Sequence, residues 1–160
     1  MGNRIITINN KKDERFLRTP VPAFDFKSAD RKQLKVLVKD MRLRMKQANG
    51  IGLSANQIGL SVRFFVSEVS GKFYAVFNPQ IKKFSSGKTV LEEGCLSVPE
   101  TYGQAARPER ISLEGYDVNG RKIKIKAWGL LARVFQHETD HLNGVLFIDR
   151  AEKVTRLKQK

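Results

Sequence analysis

The sequence has one cysteine, two histidines and no long apolar run. The single cysteine excludes an internal disulfide and is typical of a protein from a reducing, cytosol-like compartment. No apolar run approaches the roughly 18 residues that a membrane-spanning helix needs, and the first residues lead into no signal-type segment. We therefore expect a cytoplasmic protein without a membrane partner.

Acidic residues are also scarce. The chain has 16 Asp and Glu but 30 Lys and Arg, which gives a net charge of +14. This excess favours nucleic acid or the ribosome as an electrostatic partner. A hydrophobic fraction of 41% with ten phenylalanines provides a sizeable core and excludes a disordered basic protein. The length predicts one domain over residues 1–160, with a short basic tail from about residue 149.

The apolar spacing predicts an early helix. Its apolar stripe runs from Leu34 to Met45, at the intervals that place side chains on one helical face. Ser28 or Asp30 is a suitable N-cap, and Asn49-Gly50 a suitable end. We expect residues 9–27, before this helix, to form an extended arm along the surface.

The middle of the chain predicts strands, and a late helix is expected over Gly129–Asn143. The predicted strands are Val62–Val69, Lys72–Asn78, Ile111–Val118 and Arg121–Ala127. Asn119-Gly120 joins the last two as a hairpin. In the fourth strand, lysines alternate with apolar residues, so that one face is buried and the lysines protect an edge. Helices that precede and follow a run of strands indicate the α+β class.

The late helix contains His137-Glu138-Thr139-Asp140-His141, which includes both histidines of the chain. Two histidines one turn apart lie on one helical face and reach a single metal ion. Glu138, beside the first of them, is placed to take a proton from water and to pass it on. The alternative is a pair of exposed histidines without a ligand.

A catalytic metal site of this kind usually has three protein ligands and an open position. No third histidine exists, Phe147 occupies the position of a third histidine ligand, and Asp149 and Glu152 are not placed as in Glu-ligated proteases. Cys95 then completes a Cys/His/His site. Two alternatives remain open, which are a lone buried cysteine and a Cys–His nucleophilic pair.

A third segment, Gly50 to Gln57, is rich in glycine and ends in an amide. It is either a turn into a strand or a loop that approaches a ligand. Gly52 would permit the close approach, and Gln57 both donates and accepts hydrogen bonds. It is not a phosphate loop, because no Gly-Lys-Ser/Thr ending follows.

Together the three segments resemble the signatures of the peptide deformylase family. Gly50 to Gln57 matches Gly-x-Gly-Leu-x-Ala-x-Gln, Glu93 to Ser97 matches Glu-Gly-Cys-Leu-Ser, and Gln136 to Gly144 matches Gln-His-Glu-x-x-His-x-x-Gly. The resemblance covers most of residues 5–148. It implies a single α+β domain, in which antiparallel or mixed sheets pack around a central helix that carries the His-Glu-x-x-His motif.

The resemblance implies a metallo-amidohydrolase that removes the formyl group from the N-terminal formyl-methionine of nascent polypeptides and releases formate. Cys95, His137 and His141 would hold one divalent metal ion, in the family often Fe²⁺, with Zn²⁺ or Ni²⁺ also accepted. Glu138 would be the general base and then the acid. The oxyanion would be stabilised by the side chain of Gln57 and the backbone N–H of Leu96.

For the substrate, the resemblance implies that Gly52 contacts the peptide backbone. The methionine pocket would be lined by four apolar residues, which are Ile51, Leu91, Leu130 and Val134. Arg107 would pair with Glu93 and brace the site.

Three features depart from the family pattern. Ser54 stands where many members have Ala, a small change that we expect to be tolerated. Arg133 stands where an apolar residue is more usual, and we expect it at the pocket rim or in solvent. The residues after Asp149 resemble a short form without the long C-terminal helix that is associated with ribosome docking, as in some phage or organelle members. The compartment would be the cytosol of a bacterium or of a phage-infected host, or an organelle.

Two other functions are weighed against this one. One is a different mononuclear metallohydrolase, such as a peptidase. The other is a basic ribosome- or RNA-binding module with a structural metal site, although such sites normally have four protein ligands. For the deformylase, we expect the positive charge to hold the enzyme near ribosomal RNA.

Overall fold

The computed structural model describes residues 4–158. Within that range, the helices are α1 (Lys11–Leu17), α2 (Arg31–Gln47) and α3 (Gly129–Leu142), with short 3-10 helices at Ala55–Ile58 and Phe147–Asp149. The strands are β1 (Gly52–Ser54), β2 (Phe64–Val69), β3 (Lys72–Phe84), β4 (Lys88–Cys95), β5 (Val98–Pro108), β6 (Arg110–Tyr116), β7 (Lys122–Trp128) and β8 (Glu152–Arg156). The α+β class predicted from the sequence is confirmed.

Helix α2 begins and ends where the sequence predicts. Of the two candidate N-caps it uses Asp30, whose side chain accepts hydrogen bonds from the N–H groups of Lys32 and Gln33 at 2.8 and 3.4 Å. These bonds satisfy backbone donors that have no partner within the helix. Beyond its end, Asn49 takes the left-handed conformation with φ 55°.

The prediction of an extended arm over residues 9–27 is wrong in part, because α1 lies within it. Leu17 is the only fully buried residue of α1. The segment therefore has no apolar stripe from which a helix could be predicted. The local feature that favours this helix is its N-cap, Asn10, whose side chain accepts hydrogen bonds from backbone N–H groups of the first turn. Asp13 and Glu14 lie in that turn, where acidic side chains interact favourably with the helix dipole.

A five-stranded antiparallel sheet has the order β1-β2-β3-β6-β7. The four strands predicted from the sequence are present in it, with ends that differ by a few residues, and the last two form the predicted hairpin. Ser70 and Gly71 form the β2–β3 turn, both with positive φ. The β6–β7 loop is longer than a two-residue turn, since Asp117 donates its N–H to the carbonyl of Arg121. The lysines of β7 are exposed on an edge strand.

The three strands of a second sheet, of order β4-β5-β8, were not predicted individually, although the family resemblance implied more than one sheet. The first five residues of β4 are exposed in succession, and β8 is exposed throughout. Neither strand therefore has the alternation of buried and exposed residues that is typical of a half-buried strand. Strand β8 lies in the segment expected to be a basic tail. It pairs with β5 near Tyr102 and Gln104.

Helix α3 is the central element, and ten of its 14 residues are buried. It packs on the five-stranded sheet, where Phe135 lies 5.5 Å from Phe65 and 5.2 Å from Tyr74 between ring centroids. Its other side contacts β5 of the smaller sheet. The functional residues of α3 are therefore held between two sheets. No helix within residues 4–158 has the length and apolar character that crossing a membrane requires.

Candidate metal and active site

Three potential metal ligands meet between α3 and the end of β4. His137 and His141 lie one turn apart on α3, with ring centroids 5.0 Å from each other. Their ligand atoms and the sulfur of Cys95 all lie within 4.8 Å of one another, and Cys95 Sγ is 3.2 Å from Nε2 of His141. One thiolate and two imidazoles suit a divalent transition metal, so that the donor set fits the metal that the motifs imply.

Cys95 reaches this position through an irregularity in the β4–β5 ladder. The register shifts between Gly94 and Cys95, and such a bulge redirects the side chain that follows it. A Cβ on Gly94 would lie 2.9 Å from the ring of Tyr102, which explains the glycine before the ligand.

Glu93 orients the first histidine. Its Oε1 lies 2.9 Å from Nδ1 of His137, and when Nδ1 donates to a carboxylate, Nε2 is left free as a metal ligand. Arg107 pairs with the same carboxylate through two hydrogen bonds of 2.6 and 2.9 Å. The predicted pairing of Arg107 with Glu93 is thus confirmed. Arg107 also donates to Asp140 on α3, at 2.9 Å.

Of the two positions expected for Arg133, the one in solvent is wrong, whereas the residue does border the cleft. Its side chain is 7% exposed and donates to Oε2 of Glu93 at 2.5 Å. It also donates to the carbonyl oxygens of Ala105 and Thr89, at 2.9 and 2.8 Å. A buried carboxylate requires compensating charge, and the long side chain of Arg133 turns inward to provide it.

The electrostatics of the site set its protonation. Burial raises the pKa of Glu93, but hydrogen bonds from His137 and Arg107 outweigh burial and hold that pKa well below its ordinary 4.5. Burial lowers the pKa of His141, and the charges of His137 and Arg107 lower it further. His141 is therefore neutral near pH 7, which is the form of imidazole that binds metal.

Glu138 is buried directly beside the ligands. A Cβ on Gly52 would collide with its Oε1, so that Gly52 makes room for the carboxylate. On the other side, the hydroxyl of Ser54 donates to Oε2 at 2.6 Å. Burial raises the pKa of Glu138, while the charge of His137 and the bond from Ser54 lower it, and the net shift is upward. A raised pKa suits a carboxylate that takes and returns a proton near neutral pH.

Gln57 is buried beside Cys95. Its Oε1 accepts the backbone N–H of Ser54 at 2.9 Å. Its amide nitrogen is thereby directed to Cys95 and Ser97, with 3.7 Å to Sγ and 3.1 Å to Oγ. An amide donor thus faces the ligand cluster, as the predicted role in oxyanion stabilisation requires.

A cleft of about 620 Å³ opens over these residues. Among the predicted substrate residues, it is lined by Ile51, Gly52, Leu130 and Val134, and Leu96 also borders it. Leu91 lies outside this lining and is half exposed on β4.

Sequence reasoning missed the far wall of the cleft. Five consecutive residues from Val98 to Tyr102 on β5 form it. They belong to no motif, and their only sequence signal is their position directly after the Cys95 segment.

The family model described as "Polypeptide deformylase" matches residues 4–157. The peptide deformylase of Treponema pallidum (strain Nichols) is 44% identical over 124 residues, which are 78% of this chain and 76% of that protein. The peptide deformylase of Thermotoga maritima is 42% identical over 138 residues, which are 86% of this chain and 80% of the relative.

The fold is also similar to solved structures of peptide deformylases. The crystal structure of the peptide deformylase from Thermotoga maritima superposes with a TM-score of 0.81 at 39% identity, over 93% of this chain and 97% of that one. A peptide deformylase from Synechococcus elongatus, solved in complex with actinonin, gives a TM-score of 0.84 at 35% identity, over 94% and 79% of the two chains.

Proposed function

Since the chain belongs to the polypeptide deformylase family, we propose that Cys95, His137, His141 and Glu138 form the active site of its deformylase activity. The enzyme removes the formyl group from the N-terminal formyl-methionine of nascent polypeptides. The observation that carries the site assignment is the approach of three ligand atoms to within 4.8 Å of one another, beside a buried carboxylate.

Cys95, His137 and His141 hold one divalent metal ion, for which we propose Fe²⁺, with Zn²⁺ and Ni²⁺ as functional substitutes. Such an ion polarises a carbonyl group and lowers the pKa of water toward about 7. Glu93 keeps His137 in the orientation and tautomer of a ligand, supported by Arg107 and Arg133.

Glu138 moves the proton. It takes one from the water that attacks the formyl carbon and returns it to the amine nitrogen as the C–N bond breaks. Formate and a free N-terminal amine are the products. Its burial and raised pKa support this double role.

The developing oxyanion accepts hydrogen bonds from the amide of Gln57 and the backbone N–H of Leu96. Gln57 is held in advance by the N–H of Ser54, and a donor that is already oriented does not have to reorganise during the reaction.

The substrate lies in the cleft over this site. Gly52 contacts its backbone, and Ile51, Leu130 and Val134 pack against the methionine side chain. We retain Leu91, on the outer part of β4, as a further contact of that side chain. An unbranched thioether suits an apolar and adaptable pocket.

The proposal extends to the cellular setting. One catalytic domain spans residues 1–160 and works in the cytoplasm, where nascent chains emerge. Exposed lysines on α2 and β7 hold it near ribosomal RNA by charge attraction.

Substitution of the proton carrier tests the proposal. Glu138→Ala leaves the three ligands in place, so that the variant retains one metal ion per chain. It lowers kcat on a formyl-methionyl peptide about 10²–10⁴-fold, which is the usual share of acid–base catalysis. Glu109→Ala, an exposed acid outside the cleft, is the matched control and keeps full activity. Full activity of the metal-loaded Glu138→Ala enzyme would overturn the assignment.

A further inference from the structure

Ser54 lies behind the active-site cleft and contacts the proposed proton carrier. It is fully buried at the end of β1 and is not among the residues that line the cleft. Its Oγ lies 2.6 Å from Oε2 of Glu138 and 3.3 Å from the backbone carbonyl oxygen of the same residue. Its hydroxyl therefore reaches the substrate only through Glu138.

The two oxygens of the Glu138 carboxylate have different surroundings. Oε2 accepts the hydroxyl of Ser54. Oε1 lies against Gly52, which is part of the cleft lining. A hydrogen bond to one oxygen and close packing beside the other restrict the rotation of a carboxylate, whose terminal torsion is otherwise broad.

The backbone of Ser54 makes a different contact, because its N–H donates a hydrogen bond to Oε1 of Gln57 at 2.9 Å. This bond does not depend on the side chain. Replacing the serine by alanine therefore removes the bond to Glu138 and keeps the backbone bond that orients the side-chain amide of Gln57.

We propose that Ser54 is a positioning residue for deformylation. Its hydroxyl fixes Oε2 of Glu138 and so assigns proton transfer to Oε1, the oxygen on the cleft side. The proposal rests on the proposed role of Glu138. Because Ser54 acts on the orientation of the base, it contributes to kcat and not to substrate binding.

The test is Ser54→Ala, with Ser67→Ala as the matched control. Ser67 is an equally buried serine on β2, opposite Gly52 in the ladder, and its hydroxyl has no partner within residues 4–158. We expect Ser54→Ala to lower kcat about tenfold, in line with the loss of one hydrogen bond to a charged group, with KM within about twofold and the metal content unchanged. Ser67→Ala keeps the kcat of the wild type.

A double-mutant cycle separates positioning from a general structural effect. Glu138→Asp withdraws the carboxylate by one methylene from Ser54, so that adding Ser54→Ala changes kcat less than about twofold in that background. The same tenfold loss in both backgrounds, a change in KM alone, no loss in the single variant, or an equal loss in Ser67→Ala would overturn the positioning role. Absence of formate release from the wild type would instead overturn the proposed function, and this role with it.

Discussion

At the scale of single residues, the site depends on a close approach between Gly52 and Glu138. The absent side chain of Gly52 leaves the space in which Oε1 of Glu138 lies. Gly52→Ala should therefore displace the carboxylate and lower kcat by about 10-fold or more, because misplacement by about 1 Å costs up to 100-fold. Steady-state kinetics on a formyl-methionyl peptide measure the effect.

Gly87→Ala is the matched control for this prediction. A Cβ at Gly87 meets Glu109 at 3.5 Å, an ordinary contact, and Gly87 lies outside the cleft. Its kcat should equal that of the wild type. A fully active Gly52→Ala enzyme would show that the carboxylate does not need this space.

The sequence indicates the candidate ligands and the pair of Arg107 with Glu93, but not the contacts that Arg133 and Ser54 make with the site. His137, His141 and Cys95 follow from motif and spacing, since few residue types bind metals. The inward turn of Arg133 was not predicted, because it depends on the buried charge of Glu93, 40 positions earlier in the chain. The contact of Ser54 with Glu138 spans 84 positions and was missed for the same reason.

At the scale of elements, predictability follows the regularity of the apolar pattern. Helices α2 and α3 bury a stripe, and their existence and approximate ends are evident from the sequence. Strands β4 and β8 are largely exposed, so that burial imposes no alternation on them. Their pairing with β5 is a long-range contact, which a local reading of the sequence does not detect.

Glu93 links three of these elements, since it lies on β4 and pairs with Arg107 on β5 and with His137 on α3. Its pKa is lower in the folded protein than in the unfolded chain. The ionised form therefore stabilises the fold above the ordinary pKa of 4.5, and this contribution is lost as the pH falls below that value.

Glu93→Gln should accordingly lower the free energy of unfolding by about 3 kcal/mol at pH 6, because buried Arg133 loses its counter-charge and buried Arg107 keeps only Asp140. The difference from the wild type should shrink on acidification to about pH 3.5. Urea denaturation of both proteins, with a metal chelator present throughout, measures it. A difference that stays constant with pH would contradict the coupling.

At the scale of the whole molecule, the net charge of +14 lies mainly away from the catalytic cleft. Lys35 and Lys39 are exposed on α2, and three lysines are exposed along β7. Two of the latter share the single acid Glu114, so that positive charge remains in excess. The site itself is built largely from apolar, amide and acidic groups.

This distribution predicts ribosome association that depends on salt. The protein should co-sediment with ribosomes at about 50 mM salt and be released at about 200 mM, because counterion release makes binding to phosphates steeply salt-dependent. Lys35→Glu with Lys39→Glu should weaken co-sedimentation and leave deformylation of a free peptide unchanged. Association that is absent at low salt, or unchanged at high salt, would contradict the prediction.

The overall architecture was predicted from the arrangement of helices around a strand-rich middle and from the resemblance to the family. Local patterns do not reveal the arrangement into two sheets around α3, because it depends on contacts between distant segments. The positions of Cys95 and Gln57 beside α3 are consequences of that packing.

The most direct test of the central claim measures formate release and metal content in the same anaerobic sample, with formyl-Met-Ala-Ser as substrate. We expect activity to rise in proportion to bound metal, up to one divalent ion per chain. Chelation should abolish it, and Fe²⁺, Ni²⁺ or Zn²⁺ should restore it to the wild type but not to His141→Ala. No formate release with any of the three ions, or full activity after complete metal removal, would contradict the account.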